Sequence, residues 1–268
     1  MGTSAAVADR RPVWAVCAEQ LIDAAATSTP CAPLRDLLPE GTLEDGYGVQ
    51  RLVHEETGRG RRRVGRKIGL TSAAVQQQMG VDCPDFGVLF ADMAFGDAEP
   101  IPYDTLMQPR IEAEVAFVLG ADLSDRPITA VDVLRATEFV VPAIEVCASR
   151  IAEWDITIFD TVADNASAGV YVTGSAPRLL RDLDDLKDMA MTLTSAGERL
   201  SEGRGSACLG HPVNAVVWLA NQVASRGEPL LAGETVLSGS LGPLVPARRD
   251  TEYHASISGL GSVTASFV

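Results

Sequence analysis

From about residue 84 onward the chain is a succession of short apolar runs broken by Gly, Pro and Asp: FGVLFA, IEAEVAFVL, FVVPAIEVC, GVYVTG, AMTLTSAG, ETVLSG and HASISGLGSVTASFV. Runs of this length between turn residues read as strands. Two helical patterns interrupt them, TAVDVLRATEF near 129–139 and PVNAVVWLANQVASRG near 212–227. Strands and helices do not alternate regularly, which disfavours a doubly wound sheet or a (β/α)8 barrel. Ahead of this region, residues 13–27 and 43–57 carry helical spacing, with Thr42 as an N-cap, and SAAVQQQMG reads as a short helix ending at Gly80. The expected class is α+β. A helical N-terminal region over 1–64 leads into a mixed-β core over 65–268, the two forming one compact unit.

A chain of 268 residues with 46% hydrophobic content can bury a large core. Its net charge of −14 argues against binding nucleic acid or an anionic membrane, since both need a cationic surface. One basic run, RGRRRVGRK at 59–67, reads as a solvated loop or a counter-charge to acidic neighbours. The five cysteines are widely spaced and contain no CxxC pair, so neither a disulfide framework nor a zinc site is expected. No apolar stretch approaches the roughly 18 residues of a membrane span. A cytoplasmic protein is expected.

Of 22 basic residues only Lys67 and Lys187 are lysines. Lysine, unlike arginine, can lose a proton near neutral pH when desolvated. Lys187 sits in the acidic RDLDDLKDMA, where a surface ion pair suffices. Lys67, in GRKIGLT at the start of an apolar strand, is the better candidate for chemistry.

The run QPRIEAEVAFVLG places Glu112 and Glu114 among apolar residues. In a strand, Ile111, Ala113, Val115, Phe117 and Leu119 share a core face. Glu112 and Glu114 share the other, about 7 Å apart. An isolated ExE reads first as a strand with its polar face in water. Ala116 and Val118, however, continue that face as apolar positions, and FVVPAIEVC carries one further glutamate, Glu145. Three carboxylates in such settings suggest a divalent cation, with oxygen-only ligands favouring Mg²⁺, Mn²⁺ or Ca²⁺ over zinc. The histidines offer less: His54 reads as a surface helix residue, and His211, before Pro212, as a cap. No GxSxG, P-loop or helix-opening GxGxxG is present.

In order, GRKIGLTSAAVQQQMGVDCPDFGVLFADM, QPRIEAEVAFVL, PAIEVCASRI, DTVADNASAGVYVTG, GRGSACLGHPVNAVVWLA and SGSLGPLV resemble the hydratase/decarboxylase branch of the fumarylacetoacetate hydrolase superfamily. The resemblance runs from about residue 65 to the C-terminus. It implies a mixed β-roll or β-sandwich core with a helical N-terminal region, a Mg²⁺ or Mn²⁺ cofactor, and a homo-oligomer that can associate with a neighbouring pathway enzyme. It implies Glu112, Glu114 and Glu145 as metal ligands, and Lys67 and Asp85 (of PDFG) as catalytic groups. Ser167 (of ADNAS) and Ser240 fall at substrate-binding positions. The implied activity is addition of water to 2-hydroxypenta-2,4-dienoate, giving 4-hydroxy-2-oxopentanoate, in meta-cleavage of aromatic compounds. The alternatives are decarboxylation of 2-oxo-3-hexenedioate (4-oxalocrotonate), hydrolytic C–C cleavage of an acylpyruvate, and a non-catalytic partner role. Ser238 and Ser240 in SGSLGP depart from the TGALGP-like pattern, which leaves the reaction type alone but bears on the substrate tail.

Overall fold

The computed structural model describes residues 10–72, 76–77, 81, 83–124 and 127–268. Helix α1 (Arg11–Thr27) and helix α2 (Leu43–Thr57) come first. The cap read at Thr42 is present and reciprocal: its hydroxyl accepts from the Asp45 amide and Asp45 accepts from the Thr42 amide. Most of the helix expected over SAAVQQQMG lies outside the described residues, though Gln76 and Gln77 are helical.

The chain continues through β1 (Arg63–Gly69), β2 (Asp85–Phe90), β3 (Ala94–Gly96), β4 (Pro100–Ile101), β5 (Arg110–Leu119), α3 (Ala130–Ala136) and β6 (Thr137–Cys147). It ends with α4 (Ile158–Ala163), β7 (Ala168–Thr173), β8 (Ala190–Ser195), β9 (Glu198–Arg204), α5 (Pro212–Ser225), β10 (Thr235–Leu237), β11 (Val245–Pro246), β12 (Thr251–Ile257) and β13 (Gly261–Phe267). Among the described residues one sheet has the order β2-β1-β10-β5-β6-β7-β3, with β11 also on β5, and the other the order β4-β13-β12-β8-β9. The pairs β1–β10, β3–β7 and β4–β13 are parallel and the remaining pairs antiparallel. This is the mixed-β core expected, with no βαβ winding among the described residues.

The long sheet is buried on both sides. Ile111, Ala113, Val115, Phe117 and Leu119 of β5 lie in a core shared with β12, β13 and α5. On the opposite face Ala116, Val141, Ala143 and Leu237 form a second, smaller apolar cluster. α1 and α2 pack on residues 151–163 through Trp14, Leu21, Val49, Val53 and Phe159. No helix among the described residues is long and apolar enough to cross a membrane.

Three local expectations change. The helix read over 129–139 stops at Ala136, and Thr137-Glu138-Phe139 opens β6 instead. The β-branched and aromatic run that follows favours a pleated surface over another helical turn. α4 was not foreseen; its start is marked by Thr157 and Asp160, a reciprocal cap like that at Thr42. His54 is half-buried rather than on the surface, its ring 5.4 Å from and edge-on to Phe90. Burial pushes it down to about 4, so it is neutral at pH 7.

The other readings hold. Lys187 pairs with Asp185 on the surface at 2.8 Å. His211 caps α5, its Nδ1 accepting from the Val213 amide. No disulfide is formed among the described residues. The basic run is a set of counter-charges: Arg61 to Asp92, Arg63 to Glu234 and Arg66 to Glu228.

Candidate metal and catalytic site

The inner face of the long sheet assembles the site by register. Glu112 on β5 lies directly opposite Glu145 on β6, and Glu114 opposite Ala143. Because strand side chains alternate, Glu145 and Cys147 share the face of Glu112 and Glu114. Lys67 is on β1, three strands from β6, a lateral separation of about 14 Å in a flat sheet. Its Nζ nevertheless reaches Glu145 Oε1 at 2.8 Å. Side chains standing off a flat sheet would not meet across that span, so the contact requires the sheet to curl inward, as in the roll expected.

A strained turn holds the far side of Lys67. Asn165, Ala166 and Ser167 all have left-handed backbone, with φ of 57°, 51° and 54°. Such residues each cost on the order of 1–3 kcal/mol and persist only where the surroundings impose them. Here Asn165 clamps the turn to β2, its side chain accepting from the Val88 amide and donating to the Val88 carbonyl. The turn presents the Ala166 carbonyl to Lys67 Nζ at 2.7 Å. Ser167 Oγ, buried, lies 3.3 Å from Thr161 Oγ1.

Asp85 opens β2 opposite Gly69 of β1. A Cβ at position 69 would come within 2.2 Å of Asp85 Oδ1, so the glycine makes room for this carboxylate beside Lys67. Glu114 Oε2 accepts from the Gly239 amide at 2.8 Å. Ser240, on the same loop, turns its hydroxyl onto the Gly242 carbonyl at 2.5 Å.

Four carboxylates (Asp85, Glu112, Glu114 and Glu145) therefore face one ammonium. Burial, then the negative charge of Glu145, pushes Glu112 up to about 7 and Glu114 well above the usual carboxylate range. Burial raises Asp85 to about 6 against the pull of Lys67. Burial alone would lower Lys67, but Glu145 and the acidic groups behind it hold it well above its ordinary value. Glu114 Oε1, Glu145 Oε2 and Asp85 Oδ1 are buried with no hydrogen-bond partner. Orphaned carboxylate oxygens in a buried, like-charged cluster fit a hard divalent cation, which would satisfy the lone pairs and relieve the repulsion.

The model of the fumarylacetoacetate (FAA) hydrolase C-terminal family matches residues 57–268, which include every residue of this cluster. The chain belongs to the fumarylacetoacetate hydrolase family. Within it, the chain is 52% identical to 2-keto-4-pentenoate hydratase of Paraburkholderia xenovorans (strain LB400), over 93% of each chain. It is 53% identical to the enzyme of the same name from Burkholderia vietnamiensis (strain G4 / LMG 22486), covering 93% of this chain and 95% of that one. In structure it is similar to 4-oxalocrotonate decarboxylase from Pseudomonas putida G7 complexed with magnesium and adipate. The TM-score is 0.90 at 34% identity, over 97% and 98% of the two chains.

Of the residues expected from sequence in this family member, the structure joins Lys67, Asp85, Glu112, Glu114 and Glu145 in one cluster. Ser167 adjoins it through the Ala166 turn, and Ser240 through the Gly239 loop. Sequence reasoning missed three contributors: the Ala166 carbonyl, the Gly239 amide and the Cys147 thiol. The first two are backbone groups with no residue-type signal. Cys147 had one, its i+2 spacing from Glu145 on a strand. A surface cleft of about 1020 Å³ lies elsewhere, lined by Tyr47, His54, Arg66, Phe86 and Arg226.

Proposed function

We propose that this protein is a divalent-metal-dependent hydratase that adds water to 2-hydroxypenta-2,4-dienoate to give 4-hydroxy-2-oxopentanoate. The observation that carries the reading is the buried cluster of carboxylates around Lys67, in a chain half identical, nearly end to end, to two 2-keto-4-pentenoate hydratases. Glu112, Glu114 and Glu145 hold the ion, and Mg²⁺ or Mn²⁺ suits their hard oxygens. When bound, the ion supplies Lewis-acid stabilisation of negative charge on the substrate 2-oxygen and orients the adjoining carboxylate.

The chain's own groups manage the protons. Ketonisation removes a proton from the 2-hydroxyl and places one on C5. Hydration then adds the water oxygen to C4 and a proton to C3. Lys67, kept charged by Glu145 and fixed by the Ala166 carbonyl, is a standing Nζ–H donor toward the substrate oxygens. Asp85, raised to about 6, exchanges a proton readily near neutral pH; its unpartnered Oδ1 accepts the proton of the attacking water. Ser167 and Ser240 line the substrate. The inner-face residues Ala116, Val141 and Leu237 keep water other than the reactant away.

A second reading, decarboxylation of 4-oxalocrotonate, draws on the 0.90 TM-score with that decarboxylase. The higher identity to the hydratases favours hydration. The acylpyruvate hydrolase alternative needs a water-activating His–Glu pair. His54 is committed to packing on Phe90, and Glu55 beside it is exposed. The test is incubation with Mg²⁺ and either 2-hydroxypenta-2,4-dienoate or 4-oxalocrotonate. Loss of dienol absorbance without CO₂ is expected, and CO₂ release from the second substrate as the main reaction would refute the hydratase reading.

A further inference from the structure

Cys147 is not among the carboxylates to which the hydratase reading assigns the ion, yet its thiol points into the same space. Strand β6 brings it there, two residues beyond Glu145 on the inner face, while β5 sets Glu112 opposite Glu145. One donor atom from each of Glu112, Glu145 and Cys147 lies within 4.8 Å of the others. Donors around a single tetrahedral ion stand about 3.5 Å apart, given metal–sulfur and metal–oxygen distances near 2.3 and 2.1 Å. Closing that gap needs the Glu112 carboxylate to turn inward and Glu145 to offer Oε2, the oxygen that Lys67 does not engage. Cys147 is 6% exposed and its Sγ lies 3.4 Å from Glu145 Oε1. Glu145 is 1% exposed, and its other oxygen, Oε2, has no partner. The pocket thus offers a sulfur donor beside an unsatisfied buried carboxylate oxygen, a mixed set unlike the all-oxygen set that hard ions prefer.

We propose that Cys147, with Glu145 and Glu112, forms a site for a thiophilic divalent cation, of the Zn²⁺ or Cd²⁺ class, overlapping the site of the hard ion. This rests on the hydratase reading only for the overlap, since the two carboxylates are common to both ions. Glu114 is not among these three donors and one of its oxygens is held by the Gly239 amide, so the soft-ion site is assigned without it. The expected consequence is a protein whose ion identity follows the supply of soft metal. An ion held through sulfur occupies Glu112 and Glu145 and leaves Mg²⁺ an incomplete ligand set.

The test is titration of the metal-free protein with Cd²⁺, following the ultraviolet thiolate-to-cadmium charge-transfer band. The wild type is expected to show the band. Cys147→Ser and Cys147→Val should lose it and bind Cd²⁺ at least about 10-fold more weakly. Cys208→Ser and Cys83→Ser should keep it. A band unchanged in both Cys147 variants overturns the proposal. So does the absence of any band in protein that still binds Mg²⁺ by calorimetry, an outcome that leaves the hydratase reading standing. A Cys147-dependent band in protein that binds no Mg²⁺ upholds the thiophilic site and refutes the Mg²⁺ reading instead.

Discussion

Glu114 shows how a single side chain divides stability from function. One oxygen is held by the Gly239 amide; the other is buried and unsatisfied. Glu114→Gln keeps the first contact through its carbonyl oxygen and replaces the second with an amide that repels a cation. Divalent-ion affinity, measured by calorimetry, should fall about 100-fold or more, and hydration of the dienol with it. The metal-free variant should melt no lower than the wild type, because the amide keeps the Gly239 contact and is neutral like the protonated carboxyl it replaces. Lys67 is constrained from two sides, by Glu145 and by the Ala166 carbonyl. Lys67→Arg keeps the charge but brings a bulkier planar group that cannot sit between Glu145 and the Ala166 carbonyl as the compact ammonium does. Turnover, followed as loss of dienol absorbance, should drop about 100-fold. Near-normal turnover would exclude the Lys67 ammonium as the positioned donor toward the substrate oxygens.

Between elements, backbone approach decides whether the site closes. β1 and β10 pack so tightly at Gly65 that a Cβ there would lie 1.9 Å from the Thr235 carbonyl oxygen. Gly65→Ala must push the two strands apart. We expect a loss on the order of 1–3 kcal/mol by chemical denaturation, and reduced activity through displacement of Lys67 two residues along. Helix starts, by contrast, were written locally. Thr42-Leu-Glu-Asp45, Thr129-Ala-Val-Asp132 and Thr157-Ile-Phe-Asp160 are three instances of one reciprocal cap. Reading only the first left α4 unrecognised. The six-residue α4 is too short for its apolar period to announce itself, and its cap was the remaining signal.

Across the whole molecule the carboxylate cluster ties stability to pH and metal. Asp85, Glu112 and Glu114 all have folded-state values above their unfolded ones. As pH rises from about 4 toward 7, the unfolded chain releases these protons first, while the folded chain still holds them. His54, whose folded value lies below its unfolded one, opposes this over the same window, but three raised carboxyls outweigh one lowered imidazole, so the metal-free protein loses stability across it. Tm by scanning calorimetry should fall over it, and saturating Mg²⁺ should recover the loss near and above pH 7, where the ion binds the ionised carboxylates. A metal-free Tm that rises steadily through the window would contradict the repulsive cluster.

The sequence by itself determined the α+β class, most of the strands, the caps and the identity of the charged site residues. These depend on periodicity, turn chemistry and residue type, which are local properties. It also placed Glu112 and Glu114 on one strand face, because alternation needs no knowledge of neighbours. What those glutamates faced was decided by the tertiary structure. Only pairing β5 to β6 in register sets Glu145 against Glu112, and only the curl of the sheet brings Lys67 across three strands to Glu145. The Ala166 carbonyl, the Gly239 amide and the Cys147 thiol join for the same reason. Pairing register and sheet curvature arise from long-range packing, which no local stretch of sequence encodes.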